Sequence, residues 1–414
     1  MNRKQLTLLL FLVVVVGLAG LLVYLKQNAA REAGNPNVGQ KLLGDFPVND
    51  ITHIAMAEGT NQLDLVKQNE IWCVRQRGDY PANYGQISDF LLKLKDQKIG
   101  QSEKIGPSQL GRFDLVPGTG TNAALVIDFK NKDDKSVRTL LLGKKHMGKS
   151  NRPSPMGDDM GEGGGWPNGR YVKVGSNSDT VDLISDALAN IEPKPAQWLN
   201  KDFFKVEKVR SIAVTYPVAS NCFQLSRETE SGEWKLAEAK PEEKLDSTKT
   251  SALSNPLSFP SFNDVLVGTT PDQIEKPTVV KLETFDQFTY TLKVGQKTND
   301  NYLMAMTVSA DLPKERTPGK DEKADDKTRL DKEFKDKQQK AEEKLNQEKA
   351  CEKWVYLVST WTLDPILKER GQLLQEKKEE KKEEKKEGTA GTSTNSAPAG
   401  LESLPPPEAK ADSK

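Results

Sequence analysis

Histidine is nearly absent: His53 and His146 are the only two in 414 residues. That excludes a multi-histidine metal centre and leaves little material for histidine acid–base catalysis. Cysteine is equally scarce. Cys73, Cys222 and Cys351 are too few and too scattered for a disulfide framework, and they form neither a CxxC nor a zinc spacing. One pair could form in an oxidising compartment, leaving one thiol over; the plainer reading is three isolated residues half-buried in strands. Net charge is missing too, with 60 Lys+Arg against 60 Asp+Glu. No global basic field exists to attract nucleic acid, and no acidic one to attract cations.

What is present begins with one long apolar run. Residues 6–25 (LTLLLFLVVVVGLAGLLVYL) carry no charge, and 20 residues suffice for a helix to cross about 30 Å of hydrocarbon. Arg3 and Lys4 precede the run, so the expected topology is a cytoplasmic N-terminus with the bulk of the chain outside. A cleaved signal peptide is the competing reading. Its apolar core would span about 7–15 residues and end at a small-x-small site, whereas Ala29 and Ala30 lie beyond Lys26. An uncleaved single-pass anchor in 1–26 is therefore expected, with the body of the chain extracytoplasmic. A polar linker, 27–46, follows.

From Pro47 onward, short alternating runs punctuated by turns read as strands. Several of these runs return in the same order. VNDITHIAM at 48–56 returns as VEKVRSIAV at 206–214, and Trp72 in IWCV as Trp234 in EWKL. ALVIDF at 124–129 corresponds to TVVKLETF at 278–285, and RTLLLGKK at 138–145 to YTLKVGQK at 290–297, aligning Gly143 with Gly295. Tyr171 and Tyr302 begin similar runs, and TVDLIS at 180–185 resembles WVYLVS at 354–359. Ordered recurrence predicts two tandem α+β units, 47–204 and 205–370, each an antiparallel meander with one or two helices.

The spacing of Ile87, Phe90, Leu91 and Leu94 predicts a helix over 86–98. Pro256 and Pro260 predict that its counterpart is shorter or irregular. Further helices are expected over 183–191 and 363–374, and Trp198 is expected to be a packing anchor between the units. The units differ by insertions. A Gly/Pro/Met-rich loop fills 146–169, and 311–350 holds 12 Lys+Arg with 12 Asp+Glu. The second reads as a solvated, coiled-coil-like charged helix or a disordered segment. The tail, 371–414, opens on a Lys/Glu run with 6 of each sign at 376–387 and reads as disordered. Outside these two spacers 42 charges of each sign remain.

Gly143, Gly148, Lys149 and Ser150 fit the pattern G-x4-G-K-[ST] after a strand-like run. A phosphate loop needs a helix to start at its end, aiming N–H groups at the anion. Pro153, Pro155 and the following glycines forbid that helix, so the match is read as false and no cofactor is expected. Asp158, Asp159 and Glu162 lack the alternating spacing of a calcium loop, and no metal is expected. His53 belongs to a strand and His146 to a loop, so no Ser–His–Asp set emerges.

The order of these features resembles a bacterial family of unknown function, the DUF4340 domain, in two copies. The features are an N-terminal anchor, a strand followed by a Trp strand, a helix and a Gly-Leu-Asp-x-Pro-like turn. A strand ending in Leu-Gly-Lys, a Tyr-Val strand and a final valine-rich strand follow. Here the turn is Gly111-Arg-Phe-Asp-Leu-Val-Pro117, of which Ile274-Glu-Lys-Pro277 is the remnant in the second unit. Leu142-Gly143-Lys144 is echoed by Val294-Gly295-Gln296. The resemblance makes Gly143 a β-turn glycine. It also implies a non-enzymatic accessory or scaffold subunit of an ABC-type envelope transport complex, of the kind associated with gliding motility. The alternative is a ligand- or glycan-binding module using the cleft between units. A hydrolase would need clustered carboxylates or a nucleophile–base pair, which the sequence does not single out.

Overall fold

The computed structural model describes residues 37–148, 166–175, 179–318 and 322–375. The apolar run 6–25, most of the Gly/Pro/Met loop and the Lys/Glu tail lie outside these residues. Among the described residues no helix is long and apolar enough to cross a membrane.

The architecture is α+β, with two antiparallel sheets and few helices. The first sheet contains β1 (His53–Glu58), β2 (Asn61–Gln68), β3 (Ile71–Val74), β4 (Tyr80–Pro81), β5 (Ile99–Lys104), β6 (Leu125–Lys130), β7 (Ser136–Met147), β8 (Pro167–Val174) and β9 (Thr180–Ile184). The second contains β10 (Val209–Thr215), β11 (Phe223–Ser226), β12 (Lys235–Leu236), β13 (Asp264–Leu266), β14 (Thr278–Thr284), β15 (Phe288–Thr298), β16 (Asn301–Ala310) and β17 (Val355–Ser359). The first sheet is ordered β4-β3-β2-β1-β6-β7-β8-β9-β5, and the second β12-β11-β10-β14-β15-β16-β17-β13. Apart from β4, the two orders coincide strand for strand. Each recurring sequence pair falls on corresponding strands.

The aligned glycines also coincide structurally. The β7–β8 register shifts between Leu142 and Lys145, and the β15–β16 register between Val294 and Lys297. Gly143 and Gly295 thus sit at equivalent bulges inside long strands, where an extra residue bends the ladder. Gly143 is not in a turn between strands. A Cβ there would lie 2.2 Å from the Phe113 carbonyl oxygen and 2.8 Å from Leu115 Cγ, so a side chain would expel the 107–117 segment. At Gly295 the neighbour is Ile274 Cγ2, at 3.0 Å. The family-like turn therefore packs Leu115 onto Gly143 of β7, and its counterpart packs Ile274 onto Gly295 of β15. Small cores form there, around Leu115 with Leu141 and Val181, and around Ile274 with Ala305 and Val355.

One large core runs through both sheets. Helix α1 (Tyr84–Asp96) covers it on the first sheet, two residues upstream of the expected span. The Asn83 side chain caps it by accepting from Gln86 N at 3.1 Å, and Ile87, Phe90, Leu91 and Leu94 are buried. Each such side chain contributes about 1.5–3 kcal/mol. The counterpart, α2 (Ser247–Thr250), lasts one turn and passes into a 3-10 turn over Ser251–Ser254. The charged insertion meets part of this deficit. It forms α3 (Ala324–Lys349), about 39 Å long, whose Ala341 and Leu345 pack on the main core while most other residues face solvent.

Two expected helices are absent. After β9 the Asp186 carboxylate accepts Leu188 N at 2.8 Å, and Leu188 takes a positive φ of 43°. A local turn thus competes with helix over 183–191. Over 363–374 only the end of the single-turn α4 (Thr360–Leu363) and a 3-10 turn at Arg370–Leu373 appear, separated by Pro365.

Candidate functional site

The chain passes from the first sheet to the second along residues 199–208, and the wall it builds encloses an open cleft of 890 Å³. Trp198 begins this passage. It is fully buried against Phe90 at 6.1 Å between ring centroids, and its indole N–H donates to the Glu192 carbonyl at 2.9 Å. It is a packing residue and does not line the cleft.

Tyr80 and Pro81 from β4, residues 200–205 with Glu207, Phe259, the end of α3 and Trp354 line it. The aromatic rings meet at edges: Tyr80 lies 5.0 Å from Trp354 and 5.8 Å from Phe262, and Phe203 lies 4.7 Å from Tyr356. Such pairs contribute about 0.5–1.5 kcal/mol each beyond burial. An ion pair joins the same seam, with Arg77 Nε and Nη2 donating to Asp264 Oδ1 and Oδ2 at 2.6 and 2.7 Å. Lys201 Nζ lies 4.3 Å from the Phe262 ring centroid and donates to the carbonyls of Phe262 and Asn263. The sheets are thus tied by rings, a bidentate charge pair and lysine–carbonyl bonds.

Glu348 stands at the cleft wall, only 6% exposed. Oε1 accepts Lys205 N at 2.9 Å and Oε2 accepts the Tyr290 hydroxyl at 2.8 Å. Burial pushes the Glu348 carboxyl above its ordinary range, although those two donors and Lys344 oppose it. Burial first, then the Glu348 charge, pushes the Tyr290 hydroxyl upward. Cys351 lies beside it, buried, with its thiol also raised by desolvation. All three cysteines are free; only Cys73 lies in a strand, and Cys222 is half-buried.

The phosphate-loop pattern lands elsewhere. Gly143 is in mid-strand, and Gly148 follows the end of β7, where its N–H donates to Trp166 O at 3.3 Å. Lys149 and Ser150 are outside the described residues. His146 lies in β7, not in a loop, with Nδ1 2.7 Å from Asn168 Oδ1. His53 is held between carboxylates, with Nδ1 2.8 Å from Asp134 Oδ1 and Nε2 2.8 Å from Asp64 Oδ1. The bond from His53 holds the Asp134 carboxyl below its usual range. Both ring nitrogens face acids, so this cluster ties β1, β2 and the 131–135 turn and presents no histidine base to a nucleophile. Among the described residues no group of three or more His, Cys, Asp or Glu could hold a metal.

Sequence reasoning missed Arg77, Asp264, Tyr290 and Glu348. The one available signal was Glu348 itself, which lies three residues beyond the apolar Leu345 on a helix otherwise patterned for solvent.

A DUF4340 domain, described as a domain of unknown function, is found at residues 160–281. That span crosses from β8 and β9 of the first sheet into β10–β14 of the second. No curated protein and no solved structure matches the chain.

Proposed function

We propose that this chain is a membrane-anchored, extracytoplasmic, non-enzymatic scaffold subunit of an ABC-type envelope transport complex. In this reading residues 6–25 hold it in the bacterial inner membrane, and its two sheets are two copies of the DUF4340 unit. The observation that carries it is the fusion of two sheets of matching strand order into one core, tied by Arg77–Asp264 and the Tyr80 ring cluster. Such a body holds two related surfaces in fixed relation, which is what a scaffold contributes to an assembly. Matching bulges at Gly143 and Gly295 support the reading of two copies. The uncharged run of 20 residues supports the anchor.

Cross-linking in intact cells, followed by mass spectrometry, tests the assignment. The expected links join lysines of α3 and of the sheet surfaces to subunits of a transporter. Links confined to the chain itself and to cytoplasmic proteins would overturn both the assembly and the side of the membrane.

A further inference from the structure

We infer that the cleft between the sheets binds a neutral oligosaccharide, with sugar faces laid on Phe259 and Trp354. This goes beyond the scaffold reading and stands without it.

The volume, 890 Å³, falls within the roughly 300–1,000 Å³ of small-molecule sites. The larger hollow beside α1, 1020 Å³, has one aromatic in its wall, Phe90, and that ring is buried. The cleft between the sheets is different. Phe259 lines it 82% exposed, and Trp354 lines it half-buried. A ring face carries partial negative charge. It therefore suits the C–H face of a pyranose, a flat apolar surface edged by hydroxyls.

Charge decides between ligand classes. Lys201, Lys205 and Lys344 line the cleft together with Asp202, Glu207 and Glu348. All three ammonium groups have partners, Lys201 the carbonyls of Phe262 and Asn263, Lys344 the carbonyl of Lys205 at 3.1 Å, and Lys205 the Phe259 ring, 5.8 Å from its centroid. Glu348 is saturated by Lys205 N and the Tyr290 hydroxyl. The exposed polar arms are Lys205, on one face of Phe259, with Gln347, Asp202 and Glu207. Three ammonium groups stand against three carboxylates, so the lining carries no net positive charge to hold a phosphate or a polyanion. A lipid tail would require a dry wall, which these arms interrupt. Hydroxyls both donate and accept, and they match a mixed rim of amide, ammonium and carboxylate.

Calorimetric titration of the full-length protein in detergent micelles tests the inference. The probes are neutral oligosaccharides of two to six sugars, from β-1,4-N-acetylglucosamine, glucan and mannan series, with a polyphosphate as the anionic comparison. At least one neutral series should saturate with Kd between about 10 µM and 1 mM. Phe259→Ala should weaken that binding tenfold or more with an unchanged melting temperature, because the ring is exposed. Trp361→Ala, exposed and outside the cleft, should bind as the parent does. Absence of saturation by every neutral series, binding that Phe259→Ala leaves intact, or saturation by polyphosphate alone would overturn the assignment.

Discussion

Arg77 and Asp264, 187 residues apart in sequence, form a bidentate ion pair that fastens the turn after β3 to β13 on the other sheet. Both side chains keep only about a fifth of their surface in solvent. The geometry is the planar fork that makes arginine–carboxylate pairs stronger than single-point contacts. Replacing either partner by leucine should cost about 1–3 kcal/mol in urea unfolding. The double variant should cost less than the two singles together. Additivity within about 0.5 kcal/mol would show that the pair is not a coupled clasp.

The two equivalent glycines should respond unequally to alanine. Gly143→Ala places a methyl 2.2 Å from a backbone carbonyl oxygen, whereas Gly295→Ala meets the end of the Ile274 side chain at 3.0 Å. The first should lose about 1–3 kcal/mol, and the second clearly less, because the Ile274 methyl at 3.0 Å and Leu303 Cβ at 3.3 Å need shift only by tenths of an ångström where the Phe113 carbonyl would have to move outright. Thermal melts of both variants check this, and equal losses would remove the physical reason given for the bulge glycine.

These glycines also show how far the sequence could be read. Their alignment, and the run of strands around it, was legible because a repeated pattern survives in Leu142-Gly143-Lys144 and Val294-Gly295-Gln296. Helix α1 was legible from the period of Ile87, Phe90 and Leu94. The cleft was legible only as an idea. Tyr80, Phe203 and Glu348 reach it from segments more than 100 residues apart, and no local period announces that meeting. His146 was misplaced for a related reason. The glycine-rich stretch after it reads as loop, while β7 persists to Met147 because β8 pairs with it.

Glu348 gives a pH signature. Its carboxyl is raised in the folded protein by burial, so between the ordinary glutamate value, about 4.3, and the raised one the folded state binds more protons than the unfolded state. Stability therefore falls as pH rises through that window. Urea midpoints measured from pH 4 to 8 should decline less for Glu348→Gln than for the parent. Parallel profiles would mean that Glu348 titrates alike folded and unfolded.

The thiols should separate by burial. Cys73 and Cys351 are buried with raised thiols, and Cys222 is half-buried. A chromogenic disulfide reagent at pH 8 should modify Cys222 first, and the other two only on unfolding, because the thiolate is the reacting form. Rapid modification of Cys351 in the folded protein would contradict its burial.

Co-isolation tests the proposed assembly with a transporter. The full-length chain, tagged at its C-terminus and expressed at native level, is captured from membranes solubilised in a mild detergent, and the eluate is identified by mass spectrometry. Stoichiometric recovery of the ATPase and membrane subunits of an ABC-type system is expected, lost when residues 1–26 are deleted. Recovery of the chain without any transporter subunit, at a detergent concentration that keeps other membrane complexes intact, would contradict it.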